Sequence, residues 1–369
     1  MHLYIHIPFC KQACHYCNFH FSTNLQNKAA MVRAICREIE MQRDYLPAKA
    51  LETIYFGGGT PSLLSEKELT DIFRTIQACF SIAPDAEITL EANPDDLVEA
   101  NLGVLKKFVN RLSIGIQTFD AATLLKMNRA HNAKQSEVCV KVAQDAGFEN
   151  ISVDLMYGLG ADFENDLSKT LALNVPHVSA YCLTIETKTV WGNQQKSGHR
   201  PPEDEERSVA EFESLVNTLT QNGYEQYEIC SFAKPNRYSV HNSAYWQREP
   251  YLGVGPSAHS YNGHSRQYNV ANNARYIRAV EAGRLEFEIE QLSLDNQVND
   301  YILTGLRTSW GCDLGVIRAL VGERWQQQQR ATLENYIERD YLSRQKNNIM
   351  LTESGKLFAD RIASDLFLV

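Results

Sequence analysis

The sequence predicts an α/β protein with a parallel sheet and a smaller second domain. Short apolar runs alternate with helical stretches over the first two-thirds of the chain, which is the pattern of parallel strands joined by crossover helices. After about residue 200 this rhythm changes. At 369 residues, the chain is long enough for a large domain and a smaller one.

Six apolar runs are predicted as the strands of the first domain, at 3–7, 53–56, 87–91, 111–116, 150–156 and 178–183. A helix is predicted over 29–45, because Met31, Ile35 and Ile39 recur on one face. Ser65 and Glu68 form a capping box that starts the helix after the second strand. Periodicity alone does not distinguish a barrel from a doubly wound sheet, but in both folds ligands gather at the C-terminal ends of the strands.

The part of the chain after about residue 200 is predicted to lead into a small, mainly helical C-terminal domain. One long helix is expected over 203–221, a loop-rich stretch follows, and the chain is mainly helical from about 292. Asn347 and Asn348 are predicted to turn a hairpin, and Thr352 to cap a last helix, which gives a winged-helix-like shape. We expect a first domain over 1–230, a connecting region over 231–290 and a helical domain over 291–369.

The composition narrows the classes of partner. A net charge of −9 disfavours a nucleic-acid partner, and no apolar run is long enough to span a bilayer, which leaves only peripheral membrane contact open. The N-terminus lacks the pattern of a secretory signal. Six of the nine cysteines are scattered singly and are expected to be reduced and buried, as in a cytoplasmic protein. They are Cys36, Cys79, Cys139, Cys182, Cys230 and Cys312.

Cys10, Cys14 and Cys17 follow the first predicted strand with the spacing Cys-x3-Cys-x2-Cys. Three thiolates are one short of a closed zinc site, although His15 or His20 would complete one. They suit an iron–sulfur cluster with three irons held by cysteine and one left open. This spacing resembles that of the radical S-adenosylmethionine (SAM) enzymes, in which an aromatic residue such as Tyr16 lies beside the bound SAM.

Further polar residues follow the other strands. The sequence GGGTP after the second strand lets a ligand approach the backbone. Glu91 and Gln117 end the third and fourth strands, and Arg129 can grip a carboxylate through two donors. Asp154 lies inside an apolar strand, where a buried acid needs a partner.

The motifs GGGTP, TLEANP, IQTF, NRAHN and VDLMYGLG together resemble the radical SAM family of oxygen-independent coproporphyrinogen III oxidases and their heme chaperone relatives (HemN/HemW). The resemblance covers nearly the whole chain. It implies a partial (β/α)6 TIM-like barrel, a [4Fe-4S] cluster on the three cysteines and a bound SAM. The SAM site is expected to be lined by Tyr4, Tyr16, Gly58, Gly59, Thr60, Glu91, Gln117, Arg129 and Asp154.

Two departures favour the heme chaperone branch of this family. The oxidases carry a fourth cysteine where this chain has Phe19, and a sizeable segment ahead of the cluster, whereas the first cluster cysteine here is residue 10. The segment HNSAYW matches the heme motif HNxxYW of the chaperones, with His241 as a candidate iron ligand and Tyr245 and Trp246 as flat faces for a porphyrin. His259 is a second candidate, for heme or for the SAM cavity.

The resemblance therefore implies a protein that binds heme and transfers it to acceptor heme proteins such as respiratory enzymes. The alternative is a radical SAM oxidase that decarboxylates the propionates of coproporphyrinogen III. Whether SAM is cleaved stays open in the chaperone interpretation.

Overall fold

A single twelve-stranded sheet organises the first 291 residues of the computed structural model, which describes residues 1–369. The central strands are β1 (His2–Ile7), β2 (Ala50–Gly58), β3 (Ser81–Ala92), β4 (Arg111–Gln117), β5 (Asn150–Tyr157) and β6 (His177–Cys182). The flanking strands are β7 (Glu225–Glu228), β8 (Ser231–Ala233), β9 (Tyr251–Val254), β10 (His259–Tyr261), β11 (Ser265–Asn269) and β12 (Phe287–Gln291).

Ten helices accompany this sheet. They are α1 (Lys28–Met41), α2 (Glu66–Cys79), α3 (Glu99–Leu105), α4 (Ala121–Lys126), α5 (Ala133–Asp145), α6 (Phe163–Ala172), α7 (Val190–Lys196), α8 (Glu205–Gln221), α9 (Val240–Trp246) and α10 (Asn273–Glu281). The predicted capping box is present at α2, where Ser65 Oγ accepts from the Glu68 amide and the Glu68 carboxylate accepts from the Ser65 amide.

The strand order distinguishes a barrel from a doubly wound sheet. The strands β1 to β6 are neighbours in chain order and every adjacent pair is parallel, with at least one helix in each connection. A doubly wound sheet reverses its order at a switch point, and this sheet does not. The predicted six-unit partial barrel is therefore confirmed.

Along the barrel strands, apolar side chains face outward toward the helices and polar side chains face the interior of the barrel. The outward residues, such as Ile5, Phe56 and Val153, pack under the helices in one core of 53 buried residues. The inward face carries instead His2, Tyr4, His6, Thr53, Tyr55, Glu87, Glu91, Arg111, Ser113, Ser152, Asp154, His177 and Ser179. Hydrogen bonds connect many of these across neighbouring strands, including Tyr55 to Glu91 and Ser113 to Asp154. The interior of the barrel is therefore built for polar ligands.

The stretch after α8 is not loop-rich, and that prediction was wrong. Six short strands lie between residues 225 and 291 and extend the sheet at both edges. Strands β7 and β8 pair next to β6, while β9 runs parallel to β1 and leads into the antiparallel strands β10 to β12. Strands of three to five residues are too short for an alternation pattern to be read from the sequence.

The last 78 residues, 292–369, form a unit with its own core of 14 buried residues. It contains α11 (Leu294–Leu306), β13 (Cys312–Asp313), α12 (Leu314–Val321), α13 (Arg324–Glu338), β14 (Leu342–Gln345), β15 (Asn348–Leu351), α14 (Glu353–Lys356) and α15 (Ala359–Asp365). The three strands form one antiparallel sheet, and the order helix, strand, two helices, hairpin is that of a winged helix.

Two details of the C-terminal unit differ from the sequence prediction. The hairpin turns at Lys346 and Asn347, while Asn348 already begins β15. Thr352 caps the short helix α14 through the Gly355 amide, and the last helix starts only at Ala359. The domain boundaries expected at residues 230 and 290 stay a prediction, and β9 to β12 of the middle segment belong to the barrel sheet.

Arg307, in the loop after α11, joins the C-terminal unit to the barrel. Its guanidinium donates to Glu228 Oε1 at 2.9 Å and to Asp360 Oδ1 at 3.0 Å, and it lies 5.3 Å from the centre of the Trp246 ring. Backbone hydrogen bonds flank this contact, such as that from the Ile229 amide to the Arg307 carbonyl. None of the helices combines the length and hydrophobicity that a membrane crossing requires.

Candidate functional site

The three clustered cysteines lie in the loop between β1 and α1, and neighbouring elements hold this loop in place. The Cys10 amide donates to the Ser22 carbonyl at 3.1 Å, which closes the loop on itself. The His15 amide donates to the Met127 carbonyl at 3.0 Å. The Asn128 side chain donates to the Ala13 carbonyl at 2.8 Å. The loop is therefore fixed against the segment between α4 and α5.

The cysteine loop does not have the arrangement of a closed zinc site. All three thiols are free, and their sulfurs do not gather within 4.8 Å of one another. A tetrahedral zinc with bonds of about 2.3 Å would need sulfurs about 3.8 Å apart. The two histidines considered as a fourth ligand are bonded elsewhere, His15 to the Lys126 carbonyl and His20 to Asn273. Burial raises the pKa of Cys17 to about 11, so its thiolate depends on a bound cation.

A pocket of about 430 Å³ opens beside the cysteine loop, at the C-terminal ends of the barrel strands. This volume is in the range of small-molecule sites. All three cysteines and eight of the nine residues predicted for SAM line it, namely Tyr16, Gly58, Gly59, Thr60, Glu91, Gln117, Arg129 and Asp154. The structure thus brings together residues that are spread over 145 positions of the sequence, from 10 to 154.

Gly58 and Gly59 of the GGGTP loop lie too close to β1 and to the start of the cysteine loop to carry side chains. Gly58 has a φ of +105°, and a Cβ there would lie 2.5 Å from the ring of His6. A Cβ on Gly59 would lie 2.6 Å from the carbonyl oxygen of Phe9. The amides of Gly59 and Thr60 bond to the carbonyls of Ile7 and Phe9, so the loop continues the β1 ladder around the pocket rim.

Two carboxylates make the pocket acidic. Burial, together with repulsion from Asp154, raises the pKa of Glu91 to about 7, although Glu91 accepts from Tyr55 and the Gly58 amide. Burial raises the pKa of Asp154 to about 6, against the opposing effects of Arg111 and Ser113. A positively charged ligand would favour the ionised form of both groups. The pocket therefore suits a ligand with cationic groups and hydroxyl donors.

Arg129 supplies the cation of the pocket. One terminal nitrogen donates to Asn93 Oδ1 at 2.6 Å and to the Gly115 carbonyl at 2.7 Å. The other lies 3.4 Å from both Cys14 Sγ and the Tyr16 hydroxyl, while Nε is buried without a partner. Its position next to the cysteines suits a ligand carboxylate close to the cluster. Gln117, at the end of β4, adopts a φ of +69°, which turns its side chain at the pocket rim.

Tyr4 is the one predicted SAM residue that does not line the pocket. Its ring stacks on Tyr55 with 6.1 Å between centres, and its hydroxyl lies 3.1 Å from His6 Nδ1. Several other lining residues were not predicted from the sequence, among them Asn93, which donates to Thr60 Oγ1, and Ser113, which donates to Asp154. The inward alternation that includes Glu91 and Asp154 would have found Ser113, since it occupies the same face of β4.

The HNSAYW segment forms α9, which lies away from the pocket and packs on β2. His241 is only 1% exposed, with Nδ1 2.6 Å from Thr53 Oγ1 and Nε2 3.0 Å from the Tyr245 hydroxyl. Burial lowers the pKa of His241 to about 3, so the ring is neutral. Trp246 projects instead into a groove beside Trp310. The three motif residues therefore do not share one open face.

Three other residues that the sequence analysis singled out, Cys182, His259 and Phe19, are exposed. Cys182 is exposed and lines the pocket, so its prediction as a buried residue was wrong. Of the other five single cysteines, Cys139 and Cys312 are buried as predicted, while Cys36, Cys79 and Cys230 are only half-buried. His259 is exposed on β10, packs on Tyr268 and does not line the pocket. Phe19 is 70% exposed at the pocket rim, which places an apolar ring beside the cysteine loop.

Comparisons with known proteins identify the family of this chain. Residues 4–173 match the model of the Radical SAM superfamily. The chain is 34% identical to the heme chaperone HemW of Bacillus subtilis over 97% of each chain. It is 33% identical to the heme chaperone HemW of Escherichia coli, over 99% of this chain and 97% of that one.

The same superfamily appears among solved structures. The coproporphyrinogen III oxidase HemN of Escherichia coli, a radical SAM enzyme, superposes with a TM-score of 0.85 over 99% of this chain and 89% of its own, at 22% identity. At that identity the likeness shows the fold alone. Radical SAM proteins are associated with a [4Fe-4S] cluster and SAM, for which the cysteine loop and pocket have suitable residues. This chain belongs to the radical SAM superfamily and, within it, to the HemW family.

Proposed function

We propose that this protein is a heme chaperone, which binds heme and passes it to acceptor heme proteins. The observation that carries the proposal is the similarity to proteins named heme chaperones along nearly the whole chain, including the HNSAYW helix and the C-terminal unit. Phe19 supports it, because the position at which the oxidases carry a fourth cysteine holds an exposed apolar ring.

Cys10, Cys14 and Cys17 would hold a [4Fe-4S] cluster, and the adjoining pocket would hold SAM. Such a cluster supplies an open iron for the SAM amino-acid group and a source of one electron. Arg129 is placed to pair with the SAM carboxylate, and the GGGTP loop to approach its ammonium. Glu91 and Asp154 would face the ribose hydroxyls and the positive groups. Tyr16, which is held beside Arg129 and Trp191, would cover the ligand.

Heme is proposed to bind at α9, with His241 as an iron ligand and Tyr245 and Trp246 against the porphyrin. The neutral ring of His241 is in the protonation state that iron requires. Both ring nitrogens are engaged within the protein, however, Nδ1 by Thr53 of β2 and Nε2 by Tyr245 of the same helix. His241 is also only 1% exposed, so heme can reach the ring only when α9 moves off β2. Heme loading is therefore proposed to include a displacement of this helix.

The proposed partners are heme and acceptor heme proteins, in the cytoplasm or at a membrane surface. The net charge of −9 supports the expectation of no nucleic-acid partner.

A heme titration followed at the Soret band tests the proposal. Wild type is expected to bind about one heme per chain saturably. His241→Gly should weaken binding at least tenfold and change the axial-ligand spectrum, and added imidazole should restore both, because a small ligand can refill the vacated position. His264→Ala is the matched control, since His264 is exposed and its ring has no hydrogen bond in the structure.

Two results would contradict the proposal. Saturable heme binding that His241→Gly leaves unchanged would move the iron ligand away from α9. Absence of specific heme binding would return the protein to the oxidase alternative, and conversion of coproporphyrinogen III to a vinyl product with consumption of SAM would then establish that activity.

A further inference from the structure

The helix α9 covers the barrel at the ends of its strands opposite the pocket. The Glu87 carboxylate on β3 accepts from the amides of Val240 and His241, at 3.1 and 3.0 Å, and lies 3.4 Å from the Ser239 hydroxyl. These contacts fix the first turn of the helix to the barrel interior. The motif segment is therefore attached to the same polar interior that forms the floor of the pocket.

The ring of His241 rests on the ring of Tyr55. The two centres are 4.9 Å apart, and the planes meet at 27°, which is a stacked arrangement. Thr53, one inward position before Tyr55 on β2, holds His241 Nδ1 at 2.6 Å. His241 thus contacts two successive inward residues of one barrel strand.

Tyr55 contacts the pocket with its other end. Its hydroxyl donates to Glu91 Oε1 at 2.9 Å, and Glu91 Oε2 accepts from the Gly58 amide at 3.2 Å. Glu91 and Gly58 both line the pocket. Direct contacts therefore run from His241 through Tyr55 to Glu91 and the GGGTP loop, with no gap between the motif helix and the pocket.

We propose that Tyr55 is a positioning residue that makes heme binding at His241 and SAM binding in the pocket oppose each other. The proposal rests on the proposed function. Iron ligation takes His241 out of its hydrogen bonds and off the Tyr55 ring, and a ring that loses this support no longer fixes the Glu91 carboxylate. SAM binding favours the docked helix for the same reason, because it needs Glu91 in place. Thermodynamic linkage requires the two effects to be equal.

The test compares the dissociation constant of SAM on the cluster-reconstituted full chain with and without saturating heme. We expect heme to weaken SAM binding by roughly fivefold or more, which is the lower end of typical coupling between sites, and SAM to weaken heme binding by the same factor. Tyr55→Phe keeps the stacked ring and removes the hydroxyl. Its coupling should fall below about twofold in the same pair of titrations.

Two further variants separate this role from a structural one. Tyr224→Phe is the matched control, because Tyr224 is also buried and donates to a backbone carbonyl, that of Val175, outside the described contacts. It should keep the full coupling. Thr53→Val removes a hydrogen bond that docks His241, so heme should bind more tightly and SAM more weakly, even when each is measured alone.

The outcomes distinguish this proposal from the proposed function. Saturable binding of both ligands with no mutual effect overturns the coupling and leaves the chaperone function standing. Equal coupling in wild type and Tyr55→Phe overturns the role of Tyr55. A lack of specific heme binding overturns the proposed function, and the coupling with it.

Discussion

At the scale of single residues, the pocket holds two acids, Glu91 and Asp154, whose pKa values are raised chiefly by burial. Glu91 and Asp154 line the same cavity, and the charges of Arg111 and Arg129 partly offset the raised pKa of Asp154. Neither acid is fully ionised near neutral pH until a cation arrives. Protonation of the pocket and binding of a cationic ligand therefore compete directly.

The affinity for SAM should consequently rise with pH. The pKa values of Glu91 and Asp154 are about 7 and 6, so binding a cationic ligand releases protons below pH 7. With both carboxyls ionised in the complex, the affinity should increase roughly a hundredfold between pH 5.5 and 8. Calorimetry on the cluster-reconstituted protein measures this. Asp154→Asn should bind SAM more weakly and flatten the dependence, whereas Glu186→Gln, at the exposed rim, should retain it. A flat profile in wild type would contradict the ionisation of these acids on binding.

At the scale of elements, a buried acid outside the pocket joins the first barrel helix to the added strands at one edge of the sheet. Glu38 on α1 accepts from the Gly255 amide at 2.7 Å, from Asn269 at 2.7 Å and from the Tyr276 hydroxyl at 2.5 Å. These partners lie after β9, on β11 and on α10, so a single carboxylate ties the added antiparallel strands to the first barrel helix. Burial raises its pKa to about 7.

Glu38→Gln should therefore change the pH dependence of stability. A folded-state pKa near 7, above the unfolded value of about 4.5, means that the native protein binds the extra proton. The stabilisation that this proton gives to the native state is fully present below about pH 4.5 and is lost by about pH 7, with a total of about 3 kcal/mol. At pH 5.5, Glu38→Gln should lower the free energy of unfolding by about 1–2 kcal/mol, because the NH2 group of the new side chain would face one of the donors that bond to the Glu38 carboxylate.

The difference between wild type and Glu38→Gln should shrink as the pH rises from 5.5 to 8, which urea unfolding at the two pH values measures. Glu40→Gln, on the exposed face of the same helix, is the control and should show a difference that is small and independent of pH. A difference for Glu38→Gln that stays constant with pH would show that Glu38 does not titrate in this range.

The elements also show which parts of the fold the sequence reveals. The six barrel strands were predicted because their outward residues form apolar runs that end in GGGTP, Glu91 or Gln117. Strands β7 to β12 were missed, because their pairing is decided by contacts with β1 and β6 and not by a local pattern. The placement of His241 was also out of reach, since its partners Thr53 and Tyr55 are nearly 190 residues away in the chain.

At the scale of the whole molecule, two hydrophobic cores meet along a mostly polar contact. Arg307 is central to it, because it pairs with Glu228, which is only 3% exposed, and lies over Trp246 of the motif helix. Glu228 Oε2 is satisfied by the Cys230 amide and the Ser231 hydroxyl, so Oε1 depends on Arg307. Arg307 therefore helps to set the orientation of the C-terminal unit, together with backbone hydrogen bonds such as that from the Ser309 amide to the Tyr227 carbonyl.

Arg307→Met should loosen the C-terminal unit without unfolding the barrel. It leaves a buried carboxylate oxygen unpaired, at a cost of about 2 kcal/mol. Urea unfolding followed by tryptophan fluorescence should show an earlier first transition, because Trp246 and Trp310 lie at the contact. Asp360→Asn removes only the exposed partner and should cost less than about 0.5 kcal/mol. Equal effects of the two substitutions would show that Glu228 is not the important partner.

The polar lining of the barrel has a consequence for how this scaffold can change. Because the apolar residues face outward under the helices, the stabilisation from apolar burial comes mainly from the layer between the strands and the helices. The barrel interior contributes little to it. Inward positions can then be exchanged one at a time, provided that each lost hydrogen-bond partner is replaced. The barrel is accordingly a suitable scaffold for redesign, in which inward-facing residues are substituted to bind a new ligand while the outward apolar residues are kept.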